Sequence, residues 1–284
     1  MVRSFIKGVV FVIFSPVAFS NSDDISDEYL DLFTTSLPST VTLEFGWDST
    51  NTREMYLNFD IGLKSRNRLL FNAGRSSYRL DNSVKRTTSY LIGLGTDPLD
   101  TVSYSMTYDY WDQDQQLSAD RVQGTLQWSP SNWQFSFMPE IRYISLRRKT
   151  SDLRLGIRNP GFGLAVAYLG FEKFTFSISR FQYQYSNNID SLGTIPRILS
   201  NNLANEFDKT RTSLKADYNL SRGVIGIEWV RSVSAADLSV YRTTTFSALW
   251  GISDNWSLQG TLGHPSGALF KANYFASVGV GYSW

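Results

Sequence analysis

The sequence predicts an all-β fold, a membrane-spanning antiparallel up-and-down β-barrel of about 14 strands. Three observations carry the prediction. From Thr40 onward apolar and polar residues alternate with a period of two, which a strand sorts onto two faces and a helix would smear around its circumference. No apolar run beyond the N-terminus approaches the roughly 20 residues that a spanning helix needs, so residence in a membrane must use strands. Seven of the eight tryptophans fall at the ends of the alternating segments, where an indole with an apolar body and one N–H donor suits the headgroup boundary.

In chain order, residues 1–20 read as a cleavable signal peptide. Arg3 and Lys7 make a basic start, and Gly8 to Phe19 form an apolar core of about a dozen residues. Ala18 and Ser20 place small side chains where a signal peptidase reads, with cleavage before Asn21. The alternative, an N-terminal anchor, needs a longer apolar core. Residues 21–39 are a leader, acidic and then rich in Ser and Thr; Asp27, Glu28, Tyr29, Leu30, Leu32 and Phe33 suit a short amphipathic helix or an unstructured segment equally. Residues 40–284 are the barrel.

In the first strand Val41, Leu43, Phe45 and Trp47 alternate with Thr42, Glu44 and Gly46. In the second, Met55, Leu57, Phe59 and Ile61 alternate with Glu54, Tyr56, Asn58 and Asp60. The same sorting places strands near 40–48, 54–63, 67–77, 87–96, 101–111, 119–128, 132–146, 151–169, 173–185, 209–220, 223–233, 240–251, 255–264 and 273–284. Lys64-Ser65-Arg66, Thr96 to Asp100, Ser129 to Asn132, Ser221-Arg222 and Ser253-Asp254-Asn255 are tight turns. Mostly longer polar loops near 77–86, 112–118, 186–208, 234–239 and 264–273 alternate with them, so both termini fall at the short-turn end. Pro139, Asn159-Pro160-Gly161 and Ser179-Arg180 interrupt the pattern and are expected to be bulges, the alternative being a strand count off by one hairpin.

Trp128, Trp133, Trp250, Trp256 and Trp284 are assigned to a girdle at the short-turn end, Trp47 and Trp111 to one at the loop end; Trp229 sits mid-strand and fits neither. A soluble β-sandwich or lectin-like domain is the alternative, but it has no reason to sort tryptophan by strand terminus. The mean hydropathy of −0.22 is compatible with a barrel, because every second residue faces a wet interior. A net charge of +1 gives no footing for nucleic acid. The chain has no cysteine, hence no disulfide, thiolate metal site or Cys nucleophile. Neither a metal-ligand cluster nor a phosphate-cradling loop is visible, and no cofactor is expected.

The last eight residues, Ser277-Val278-Gly279-Val280-Gly281-Tyr282-Ser283-Trp284, resemble the C-terminal signal read by the bacterial barrel-assembly machinery. Ser277, Gly279, Tyr282 and Trp284 occupy its required positions, with Trp284 where a terminal Phe is commoner. With the signal peptide, the resemblance implies a Gram-negative outer-membrane β-barrel, porin-like in strand number. It implies partners too: outer-membrane lipids, the assembly machinery, and small polar solutes or ions. The leader then lies in the periplasm and the loops outside the cell.

Function is read from the inward set. Glu44, Glu54, Asp60, Asp109, Glu140, Asp217 and Glu228 stand against Arg121, Arg142, Arg154, Arg211 and Lys215, as pore-lining candidates. Opposed arcs of charge would set a transverse field that orients polar solutes; charges paired across the lumen would instead brace the wall. Gly93, Gly95, Gly163, Ala165, Ala167, Ser277, Gly279, Gly281 and Ser283 keep the inward face small, which implies an aqueous lumen. The loop 186–208 carries Ile189, Leu192, Ile195, Ile198, Leu199, Leu203 and Phe207 and is expected to pack, either into the lumen as a gate or on the rim. The leading expectation is a channel for small polar solutes or ions. One alternative is a non-conducting structural barrel serving envelope or exopolysaccharide machinery. The other is a lipid acyl hydrolase: His264-Pro265-Ser266 is similar to the His-x-Ser pair of outer-membrane phospholipase A and lipid A deacylases, with Asn273 the nearest residue to orient the imidazole.

Overall fold

The computed structural model describes residues 37–284 except 50–51, 64–65, 81–82, 114–116, 148–153, 186–207, 236–237 and 268–273. The signal segment, most of the leader, the apolar residues of loop 186–208 and Asn273 lie outside the described residues.

Among the described residues, fourteen antiparallel strands form one closed barrel. They are β1 (Thr40–Asp48), β2 (Arg53–Gly62), β3 (Asn67–Leu80), β4 (Ser83–Thr96), β5 (Val102–Gln113), β6 (Leu117–Trp128), β7 (Trp133–Arg147), β8 (Arg154–Tyr168), β9 (Phe174–Tyr183), β10 (Asp208–Leu220), β11 (Gly223–Ser234), β12 (Val240–Gly251), β13 (Trp256–Gly267) and β14 (Phe275–Ser283). Each strand pairs with its sequence neighbours, and β1 pairs with β14 from Thr40↔Ser283 to Asp48↔Phe275. Ser39 and Trp284 exchange two backbone hydrogen bonds of 3.0 Å and extend that seam. No sheet edge is left open, which hydrocarbon demands because it offers backbone groups no partner.

The period-two pattern sorts as the sequence predicts. Leu43, Phe45, Tyr104, Met106, Leu164, Ile178 and Leu262 point outward and are exposed, while Ser103, Gln127, Glu140, Glu228 and Thr245 point inward and are buried. At the short-turn end rings touch in a chain across β6–β10: Trp128, Phe135, Trp133, Tyr168, Phe171, Phe176, Phe174 and Tyr218. Trp256, Tyr282 and Trp284 continue the girdle at the seam. The Arg66 turn between β2 and β3 adopts φ 57°, and its guanidinium holds Asp97 at 2.8 Å and Asp100 at 2.9 Å in the next turn. The hydrogen bond to Asp97 leads in pushing the Arg66 pKa above its ordinary value.

The expected bulges are absent. Register is kept through Pro139↔Phe162, Ile141↔Pro160 and Ser213↔Ser179. The β6–β7 ladder is interrupted between Gln123↔Glu140 and Leu126↔Phe137, where Pro139 lies, and resumes in the same register. A register shift falls between Asp208 and Thr210. Pro139 points outward opposite Gly124, whose missing Cβ leaves room for the ring at 3.4 Å. What changes in β8 and β9 is the chemistry of the faces. Near the loop end Arg158, Arg180 and Gln182 turn outward, while Ile157, Phe181 and Tyr183 turn inward. Ile144 and Ile157 are register partners, 0% and 1% exposed. There the apolar side chains pack against one another inside, away from water. One assignment changes with the register. Arg154 pairs with Arg147 in the β7–β8 register, and Trp111 takes the inward parity of Asp109. The strands also run farther at the loop end than alternation suggested, so β3 and β4 are separated by residues 81–82 alone and β5 and β6 by 114–116.

Candidate functional site on the inner wall

The inner wall is polar, and its charges pair with near neighbours. Asp60 is bonded by Arg68 on β3 through two nitrogens, and Asp109 by Arg121 directly across the β5–β6 ladder. Lys215 Nζ lies 2.7 Å from Asp217 on the same face of β10. Arg142 donates to Glu140 Oε1 from Nη2 at 2.8 Å and Nε at 3.2 Å, and its guanidinium lies 5.3 Å from the centre of the Tyr183 ring. Pairs on one strand or across one ladder brace the wall. They are not two opposed arcs.

Glycines on this face act as recesses. Gly279 separates Glu44 on β1 from Gln259 on β13 in one register row. Gln259 lies over it, 2.7 Å from where a Cβ would stand, and donates to Glu44 Oε2 at 3.3 Å. The closing seam is thus bridged by side chains as well as by the ladder. Tyr56 covers Gly74, Phe181 covers Gly163 and Tyr183 covers Gly161 in the same way. The small inward residues therefore seat neighbouring side chains, and they do not simply widen the bore as composition suggested.

A second cluster joins the wall near the loop end. Asp208 accepts from the hydroxyls of Tyr241 and Ser232 (3.2 Å), and Tyr185 donates to its carbonyl at 2.7 Å. Burial pushes the Tyr185 pKa above its ordinary value. Of the expected pore-lining set, Glu44, Glu54, Asp60, Asp109, Arg121, Glu140, Arg142, Arg211, Lys215, Asp217 and Glu228 share the inward face. Asp48, Arg68, Lys85 and Asp208 belong to it and were missed. Arg68 was legible from the parity of Leu69 and Phe71; Asp208 was hidden at a loop boundary by the register irregularity.

His264 and Ser266 share the outward face of β13, and Pro265 pairs in register with Thr243. His264 lies tilted against Tyr274 with ring centres 4.9 Å apart, and its buried Nδ1 has no hydrogen-bond partner. No hydroxyl or acid engages that nitrogen among the described residues, so the geometry does not build a nucleophile and base. Ser277 and Gly279 face inward, Tyr282 and Trp284 outward into the girdle. No group of His, Asp and Glu among the described residues suits a metal ion.

No family model matches the chain, and no curated protein matches it. Among solved structures it is similar to the KdgM porin in complex with disordered oligogalacturonate, at 12% identity over 86% of this chain and 99% of that one, with a TM-score of 0.44. It is also similar to the anion-selective porin from Comamonas acidovorans, at 10% identity over 88% and 100%, TM-score 0.48. The outer membrane protein OprD from Pseudomonas aeruginosa shows 8% identity over 88% and 93%, TM-score 0.45.

Proposed function

We propose that this protein is a Gram-negative outer-membrane channel, porin-like, that passes small polar solutes or ions passively. The observation that carries the reading is the two-faced wall of a closed barrel: an apolar outer face with an aromatic girdle, and an inner face of paired charges, amides and hydroxyls. Fourteen strands enclose more space than ordinary side chains fill, so a polar inner wall surrounds water. The chain is exported with removal of residues 1–20, the termini and short turns face the periplasm, and the C-terminal strand is read by the assembly machinery.

On the described inward strand positions carboxylates outnumber cations. Glu44, Asp48, Glu54, Asp60, Asp109, Glu140, Asp208, Asp217 and Glu228 stand against Arg68, Lys85, Arg121, Arg142, Arg211 and Lys215. The wall therefore favours cations. Purified barrel added to a planar bilayer is expected to give discrete conductance steps, with a reversal potential in a KCl gradient of the sign for K⁺ preference. Folded, inserted barrel without steps refutes the channel and leaves the structural-barrel alternative.

A further inference from the structure

Three successive outward rows cross β8–β13 in register. The lowest runs Tyr168, Phe176, Ala216, Ile227 and Phe246; the next Val166, Ile178, Leu214, Trp229, Thr244 and His264. The third runs Leu164, Arg180, Thr212, Arg231, Arg242 and Ser266. In the first two rows the small side chains of Val166 and Ala216, between Trp133, Tyr168 and Trp229, leave an apolar groove of about 580 Å³ on the outside of the barrel. The third row sets two arginines directly opposite each other and a third two strands away. Like charges paired across strands oppose each other. No carboxylate occupies these rows, and none of the three arginines has an ion-pair partner among the described residues.

The height of this patch suits a headgroup. Eight strand positions separate Arg231 from Gly223 at the turn end of β11. That is about 26 Å along the strand and about 20 Å of height at a 35–45° tilt, near the upper edge of an apolar band about 25 Å tall. Apolar groove and cation row are contiguous: Trp229 is two residues below Arg231, and Ile178 two below Arg180. Trp229, which fits no girdle, forms one wall of the groove.

We infer that β8–β12 form a binding site for a phosphate-bearing lipid of the outer leaflet, with the phosphate on Arg231 and Arg242, Arg180 alongside, and one acyl chain in the groove over Ala216. The site rests on the membrane reading above, not on conduction. Guanidinium groups bind phosphate through paired N–H donors, and a bound dianion turns the Arg231–Arg242 repulsion into a bridge. A groove of this size falls in the range of about 300–1,000 Å³ typical of ligand sites.

The test offers folded barrel in neutral detergent an equimolar mixture of phosphatidic acid and phosphatidylcholine with identical chains, and reads the retained lipid by native mass spectrometry. Wild type is expected to retain phosphatidic acid preferentially. Arg231→Gln with Arg242→Gln is expected to cut that preference roughly 25-fold, since each cation at a charged membrane surface contributes about fivefold. Arg53→Gln with Arg75→Gln, outward cations of β2 and β3, leaves it unchanged, and Ala216→Trp, which fills the groove, lowers retention of both lipids. Equal retention of the two lipids by wild type overturns the proposal. So does equal loss in both arginine pairs, or a dimer in place of bound lipid. Conductance of the same preparation separates the two readings: a barrel that conducts without lipid preference defeats the lipid site alone, and one that binds without conducting defeats the channel alone.

Discussion

Replacing Glu140 by Gln removes the carboxylate that Arg142 holds through two nitrogens while leaving the side-chain shape nearly unchanged. Glu140 is 4% exposed and Arg142 8%, so water screens the pair poorly. Removing one partner of a buried pair costs about 3–5 kcal/mol, chiefly because a charge is left without compensation. Here Arg142 keeps its contact with the Tyr183 ring, and the glutamine carbonyl still accepts one hydrogen bond. The expected loss is therefore smaller, about 2–3 kcal/mol, or roughly 30- to 150-fold in the folding equilibrium. Urea unfolding of the barrel in phospholipid vesicles, followed by tryptophan fluorescence, measures it as a fall in midpoint at constant slope. Glu140→Gln combined with Arg142→Met is expected to recover part of the loss, since the cation that Glu140 balanced goes with the arginine. A single-variant loss below about 0.5 kcal/mol, or a double variant worse than the two singles together, refutes the reasoning.

Gly163→Ala places a Cβ 2.5 Å from the Phe181 ring, and the ring must move off its seat; a loss of about 1–3 kcal/mol is expected in the same unfolding assay. Tyr185 titrates above its ordinary value of about 10 in the folded barrel because burial disfavours the phenolate. Its contribution is fully present below pH 10 and is lost as pH rises further, where the unfolded chain releases the proton and the folded one keeps it. Tyr185→Phe is therefore expected to flatten the fall of stability above pH 10 by up to about 1.4 kcal/mol per pH unit, and an unchanged slope refutes that assignment.

Alternation along a strand is a local property, so strand number, inward and outward faces and most of the inner charges were legible in the sequence. Leu43 and Glu44 take opposite sides whatever the rest of the chain does, because successive Cβ atoms alternate. Reading polarity as facing failed where the surroundings change with height. Arg158 and Ile157 look displaced only if hydrocarbon is assumed to reach the top of β8, and that assumption produced bulges at Asn159-Pro160-Gly161 and Ser179-Arg180. Asp208 escaped because a one-residue register irregularity beside a long loop leaves no periodic trace.

Composition and period alone therefore determined an antiparallel barrel with an apolar outside and a polar inside, since those follow from a two-residue repeat and the need to pair every backbone group. Tertiary structure decided which charges meet. Arg68 with Asp60, Gln259 reaching Glu44 across Gly279, and Arg231 facing Arg242 depend on the stagger between strands and on closure of β1 onto β14. Stagger is set by all fourteen pairings together, and no single segment encodes it.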